Sequence, residues 1–247
     1  MTISEERPNA ISLAELFTHL GRELSSQPTV EDVLATISRR AFEVIPSAEH
    51  AAISRGRRGK FETIAATSDL PPKVDELQYA ANSGPCVDAI LADSTFRVSE
   101  LATSDRWPEF GRAASERYGI HSMLSVRMYL EDDDLLAGLN LYSSAVDAFD
   151  EADQTTATLL ATHGALALTA AARQDKIDNL NRALESSRRI GAAIGILMAT
   201  NKVTYAQGFD LLRIVSQATH RKVAAIAEDV LLTGTLELPE TPPTRNR

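Results

Sequence analysis

From Ile11 the apolar residues Leu13, Leu16, Phe17 and Leu20 fall at i, i+3, i+4 and i+7 spacing, one face of a helix. A second helical run opens at Thr29, carries Glu31 and Asp32 in its first turn and ends at Pro46. It is expected to bury Val30, Val33, Leu34, Ile37, Ala41 and Phe42. The period then shortens. HAAIS and KFETIAAT read as strands around the turn RGRRGK. PPKVDELQYAAN returns to helix, with Pro71 and Pro72 near its start. SGPC breaks the chain before VDAILAD, and FRVSE is a short strand. RWPEFGRAASERYG is a helix closing on Gly119. SMLSVRMYL and LLAGLNLYS are strands around a turn, EDDD, which reads as solvated rather than as a Mg²⁺ or phosphorylation site. The order helix–helix–strand–strand–helix–strand–helix–strand–strand predicts an α+β domain with a largely antiparallel sheet.

Beyond Asp150 the pattern is helical throughout. Glu151 to Met198 contains no proline, and Ile177, Leu180, Leu184, Gly191, Ile194 and Met198 follow a heptad spacing in which Ser187 is the weak member. Leu159 and Leu166 continue that register upstream, where Thr156, His163 and Ala170 are poor zipper residues. The seam predicts a coiled-coil homodimer; the alternative is one helix packed on its own domain. Thr204 and Gln207 form a capping box for a next helix, which is expected to bury Phe209, Leu212 and Val215. A third helix places Val223, Ile226, Ala227 and Val230 on one side and stops at Gly234. Within the first of these three helices lies IGAAIGILMA, ten residues without a charge. It is too short to span a membrane. Ile190, Ile194 and Leu197 are expected in the bundle core, with Gly191 and Gly195 on the neighbouring stripe. A helix-interior glycine costs about 1 kcal/mol relative to alanine, which implies that another segment or a partner approaches these two closely.

Composition narrows the picture. The 247 residues suit one large or two modest domains, and 24% charged residues is ordinary for a soluble protein. Net charge is −9, unevenly spread: residues 174–247 hold 10 Lys and Arg against 8 Asp and Glu (+2), leaving −11 for residues 1–173. The opening MTISEERPNAIS has no apolar run, no window reaches a membrane span, and the one cysteine, Cys86, allows no internal disulfide. A cytoplasmic protein without membrane association is expected. The five histidines lie far apart, so no metal site and no cofactor are expected.

The run RRIGAAIGILM, followed by TYAQGFDLLRIVSQATHRKVAAIAEDVLLTG, resembles the ANTAR module of bacterial transcription antitermination regulators. Gly208 stands where that family usually has Ala, and Ile194 where it often has Lys. The resemblance implies binding to tandem stem-loops in nascent leader transcripts, which keeps the terminator hairpin from forming. The candidate RNA-binding residues are Arg188, Arg189, Gly195, Lys202, Arg213, Ser216, Gln217, Arg221 and Lys222. The cations supply phosphate contacts, and Ser216 and Gln217 are candidate donors to bases or 2′-hydroxyls. Tyr205 and Phe209 are the available stacking rings, with Phe209 assigned to the core.

SGPCVDAI, DRWPEF, YGIHSMLSVRM and LLAGLNLYSSAVDAFDEAD resemble a GAF domain, a sensor fold with a central antiparallel sheet and helices on one face. The resemblance implies an unidentified small-molecule signal; Cys86, Trp107, Asn140 and Tyr142 are the candidate pocket residues. Asn140, Phe149 and Asp153 match the spacing of the cyclic-nucleotide signature, but Leu141 and Gln154 replace its Lys and Glu, so its Lys–Asp pair cannot form. Cys86 is open to three readings: a redox thiolate at a helix start, a bilin attachment point or a buried structural thiol. No base stands beside it in sequence, so no catalytic residue is assigned. The expected organisation is a tail (1–10), a GAF sensor (11–170), an ANTAR module with its linker helix (171–236) and a second tail (237–247). A protein-interaction scaffold that binds no RNA is the alternative.

Overall fold

The computed structural model describes residues 10–57, 59–92, 94–130 and 136–237. The expected EDDD turn, the side chain of Leu13 and nearly all of both expected tails lie outside them. The chain divides into two compact units at Gln174 and Asp175.

The first unit contains α1 (Ala10–Ser25), α2 (Val30–Val44), β1 (His50–Arg57), β2 (Lys60–Ala66), α3 (Leu70–Ala81), α4 (Pro85–Ala92), β3 (Thr95–Val98), α5 (Pro108–Tyr118), β4 (Ser122–Met128) and β5 (Leu136–Ser143). The opening part of α6 (Glu151–Asn201) completes it. The strands form one antiparallel sheet in the order β2-β1-β5-β4-β3. Strand alternation sorts the side chains. Ile53, Leu124, Val126, Leu139 and Leu141 point to one face and pack with Leu20, Val33, Ile37 and Leu160 of α1, α2 and α6. Ala52, Met123 and Tyr142 point to the other, against Val74, Cys86, Ile90 and Phe110 of α3, α4 and α5.

Helices therefore cover both faces, where the sequence suggested one. The cause is the second apolar set on the strands, which itself needs cover. SGPC is more than a break: Pro85 is the first residue of α4, an element missing from the expected order. Thr29 caps α2 as expected, accepting a hydrogen bond from the Asp32 amide at 3.1 Å. Phe42, expected inside, is 44% exposed. Ser38 takes an inward position instead, its hydroxyl donating to the Leu34 carbonyl at 3.0 Å.

The second unit holds the rest of α6, with α7 (Tyr205–Thr219) and α8 (Val223–Thr233). Its core is Ala193, Ile194, Leu197, Leu212, Val215, Ile226, Ala227 and Val230. Each fully buried Ile or Leu contributes about 1.5–3 kcal/mol. The capping box forms: Thr204 accepts from the Gln207 amide, and the Gln207 side chain accepts from the Thr204 amide at 2.9 Å. Phe209 is not in this core. Gly208 is buried in its place, where an added Cβ would lie 3.0 Å from Ile194 Cγ2. That contact accounts for glycine in the position where alanine is usual: α7 lies against α6 at Ile194.

Packing around the glycines gives a direct test. An added Cβ at Gly111 on α5 would lie 1.8 Å from the Leu101 carbonyl oxygen. Backbone on both sides cannot yield that distance, so Gly111→Ala is expected to destabilise the first unit by about 2–4 kcal/mol or to prevent folding. Urea denaturation against wild type measures it.

Candidate functional site

In the first unit, β1, β2, β5 and α3 place polar side chains between the sheet and the helices covering its second face. Asp75 of α3 is fully buried. Its Oδ1 accepts from the Tyr142 hydroxyl at 2.6 Å and the Gln78 amide at 3.1 Å. Its Oδ2 accepts from the Thr63 hydroxyl at 2.8 Å and the Ser54 hydroxyl at 3.3 Å. Tyr79 donates to Ser54 at 2.7 Å, and the Asn140 amide donates to Ser54 at 2.8 Å and to Cys86 Sγ at 3.0 Å. Gln78 Oε1 accepts from the Cys86 backbone amide at 2.8 Å, which ties α4 to α3. The hydroxyl of Ser125 and the side-chain Oδ1 of Asn140, cross-strand partners on this face, are buried and make no hydrogen bond among the described residues.

Of the four expected pocket residues, Cys86, Asn140 and Tyr142 meet in this cluster. Trp107 belongs to the same apolar core, but its indole N–H donates to Asp88 at 3.1 Å. Arg106 also grips Asp88, at 2.9 Å, while stacking over the rings of Phe96 and Trp107. This clasp fastens α4 to the segment before α5. Asp75, Gln78, Tyr79, Ser54 and Thr63 were missed from sequence. The signal was present: Asp75 and Gln78 share α3's buried positions with Pro71 and Val74. Ser54 and Asn140 occupy inward positions of their strands.

Burial governs the electrostatics. It raises the Asp75 carboxyl from 3.8 to about 6, although four hydrogen bonds favour the anion. Burial, then the charge of Asp75, pushes the Cys86 thiol up to about 12. Desolvation outweighs any help from the start of α4, the behaviour of a buried structural thiol. Tyr142 and Tyr79 are also raised, by burial first and Asp75 second. Asp153, from the cyclic-nucleotide spacing, instead caps α6, accepting from Ser47 at 2.8 Å and from the Asp150 amide at 3.1 Å. Among the described residues no group of three or more His, Cys, Asp or Glu could hold a metal ion.

In the second unit the candidate RNA residues lie on α6 and α7 and in the turns that flank α7. Arg188, Lys202, Gln217 and Lys222 are exposed, and the three cations carry no ion pair among the described residues. Arg189 pairs with Glu185 at 2.6 Å and Glu228 at 3.3 Å, Arg213 with Asp210 at 3.1 Å, and Arg221 with Asp229 at 2.6 Å. Solvent screens such exposed pairs, so an incoming phosphate can compete for the guanidinium. Ser216 is committed within the chain: its hydroxyl donates to the Arg221 carbonyl, closing the turn between α7 and α8. Gly191 and Gly195 have open space where a Cβ would stand. Nothing among the described residues needs their smallness.

The Asp75 carboxyl gives a pH dependence of known sign. Its folded-state pKa is raised, so the stability linked to its proton is full below 3.8 and is lost as pH rises through about 6. The group makes folding about 3 kcal/mol less favourable at pH 7 than at pH 3. Asp75→Asn is expected to remove that decline, read by urea denaturation across this range. Cys86 is expected to resist a thiol reagent at pH 8 in the native chain and to react at once in urea.

An ANTAR domain model matches residues 178–231, and a GAF domain model matches residues 27–169. The comparison with curated proteins gives no match. Among solved structures, the chain is similar to the GAF domain of a phosphoenolpyruvate-protein phosphotransferase from Coxiella burnetii, with 18% identity, TM-score 0.52, and 68% of this chain and 99% of that one covered. It is also similar to the free methionine-R-sulfoxide reductase from Neisseria meningitidis in complex with its substrate, with 14% identity, TM-score 0.53, and coverage of 67% and 93%. A GAF domain from an Acinetobacter phosphoenolpyruvate-protein phosphotransferase matches at 12% identity and TM-score 0.53, covering 67% and 96%. At these identities the likeness establishes the fold of the first unit. With the GAF model spanning more than half its length, the chain belongs to the GAF domain family and carries an ANTAR domain in its second unit.

Proposed function

We propose that this protein is a cytoplasmic, signal-responsive regulator that binds stem-loops in nascent transcripts and prevents termination. In this reading the GAF sensor is 11–170 and the RNA-binding module 171–236. The observation that carries it is the ANTAR match laid on a three-helix bundle whose exposed Arg188, Lys202 and Lys222 have no ion pair among the described residues. RNA binding by such a surface draws on phosphate contacts, and Arg189, Arg213 and Arg221 add guanidinium groups held only by exposed carboxylates. Gly195 leaves space for an RNA backbone to reach the α6 axis.

The working form in this proposal is a homodimer. Ile177, Leu180 and Leu184 are half exposed or more along the α6 seam, a row of apolar side chains that a second copy would cover. The sensor takes an unidentified small molecule at the face holding Cys86, Asn140 and Tyr142, with Trp107 in the adjoining core. Its signal acts through the pairing of α6, which supplies residues to both units. We assign no catalytic step and no cofactor. Among the described residues no helix is long and apolar enough to cross a membrane. The second reading, a scaffold that binds protein and no RNA, draws on Ile214 and Leu232, which stand exposed on α7 and α8.

Transcripts crosslinked to the full chain are expected to be enriched in tandem stem-loops; enrichment of protein partners alone favours the scaffold. Arg188→Ala and Lys222→Ala are each expected to weaken binding across sequences and to lower the slope of log K against log salt by roughly 1. Leu180→Glu with Leu184→Glu is expected to halve the solution mass, measured by light scattering. Gly195→Ala is expected to raise the stability of the bundle by about 1 kcal/mol while lowering RNA affinity.

A further inference from the structure

We propose that Tyr205 and Phe209 form the base-stacking strip of the RNA-binding face, each ring taking one unpaired nucleobase of a stem-loop. The proposal rests on the RNA reading of this protein and deepens it, naming the part of the RNA that is recognised and the side chains that recognise it.

Placement of Phe209 is the first observation. Its expected inward position is occupied by Gly208, packed on Ile194, and the ring is turned out to 41% exposure. Tyr205, one turn earlier on the same helix, is 59% exposed. Two large rings four residues apart thus face outward on a bundle whose core is closed without them.

The second observation is the pair of polar side chains further along the same helix. Arg213 and Gln217 continue the i, i+4, i+8, i+12 series along α7, and both are exposed. Each step of four advances about 6 Å along a helix and turns about 40° around it. The four side chains therefore make one slowly turning stripe: ring, ring, guanidinium, amide. Rings stack on any base, while a guanidinium and a carboxamide read base edges or phosphates. Arg213 is restrained only by its exposed pair with Asp210.

Charge favours nucleic acid over protein as the occupant. Lys202 lies just before α7 and Lys222 just after it, both exposed, and Arg188 is exposed on α6; none has an ion pair among the described residues. A protein-docking face would have apolar side chains continuing from the rings. Here they give way to Arg213 and Gln217, and Ile214 stands off the stripe by helical spacing. Unpaired loop bases are the RNA groups that such rings can reach, since bases within a duplex are already stacked.

The test uses the full chain and a pool of synthetic RNAs, each with two tandem stem-loops and randomised loops. The best wild-type binder is the probe. Tyr205→Leu and Phe209→Leu are each expected to weaken binding about 5- to 150-fold, with the salt slope unchanged. Phe209→Tyr, which keeps the ring, is expected to retain affinity. An abasic residue at the stacked loop position weakens wild type by a similar factor and adds little to the loss in Phe209→Leu. Should Phe209→Leu fail to fold, Tyr205→Leu and the abasic RNAs decide. Wild-type affinity in the leucine variants overturns the strip and leaves the RNA reading standing. So does a loss that is the same whatever the loop bases, or a change of oligomeric mass in place of affinity. A wild-type chain that retains no RNA from the pool overturns the RNA reading and the strip together.

Discussion

The central strands of the first unit are buried on both faces, and that constraint governs the unit. Every residue of β4 and β5 is buried or nearly so. One face is apolar and closes on α1, α2 and α6. The other carries Ser54, Asn140 and Tyr142, whose hydroxyl and amide N–H groups find partners away from water. Asp75 answers this by accepting from four donors, and in doing so it pins α3 to the sheet. Gln78 passes the restraint on to α4 through the Cys86 amide. The same burial that orders the cluster sets its chemistry: the carboxylate has neutral donors and no cation among its partners, so its proton leaves near neutrality, while the thiol keeps its own.

The second unit is organised by a smaller contact. Gly208 on Ile194 lets α7 approach α6, and the capping box fixes where α7 begins. Leu212 and Val215 then fall inward, and Phe209 does not. Gly208, Leu212 and Val215 share the inward face of α7, which leaves the Phe209 ring outside the core. The stability of the bundle and the character of its surface arise from the same helix.

Much of this was legible in sequence because periodicity reports burial. The strands, the α6 span, the capping box and the core positions Ile194, Leu197, Leu212 and Ile226 followed from spacing alone. What spacing could not give was which of two adjacent residues a helix turns inward. Hydrophobicity points Phe209 inward, yet its neighbour Gly208 lies there. Helices on the sheet's second face were missed for a related reason: the polar residues among its inward positions read as solvent-facing. The Asp75 cluster hid in the same way, since its members are scattered from Ser54 to Tyr142 and only the fold joins them. Ser216 was chemically plausible as an RNA donor, but its hydroxyl has a partner within the turn.

The two units present different chemistry. The first presents a buried, proton-sensitive polar cluster beneath helices that the Asp88 clasp holds down. The second presents cations, rings and open glycines to whatever approaches. The proposed joint role as a regulator of termination is tested most directly by single-round transcription across a leader with tandem stem-loops ahead of a terminator. Adding the full chain should raise read-through in proportion to bound protein, and destroying the stem-loops should abolish the effect. Unchanged termination at protein concentrations that saturate the leader would contradict it.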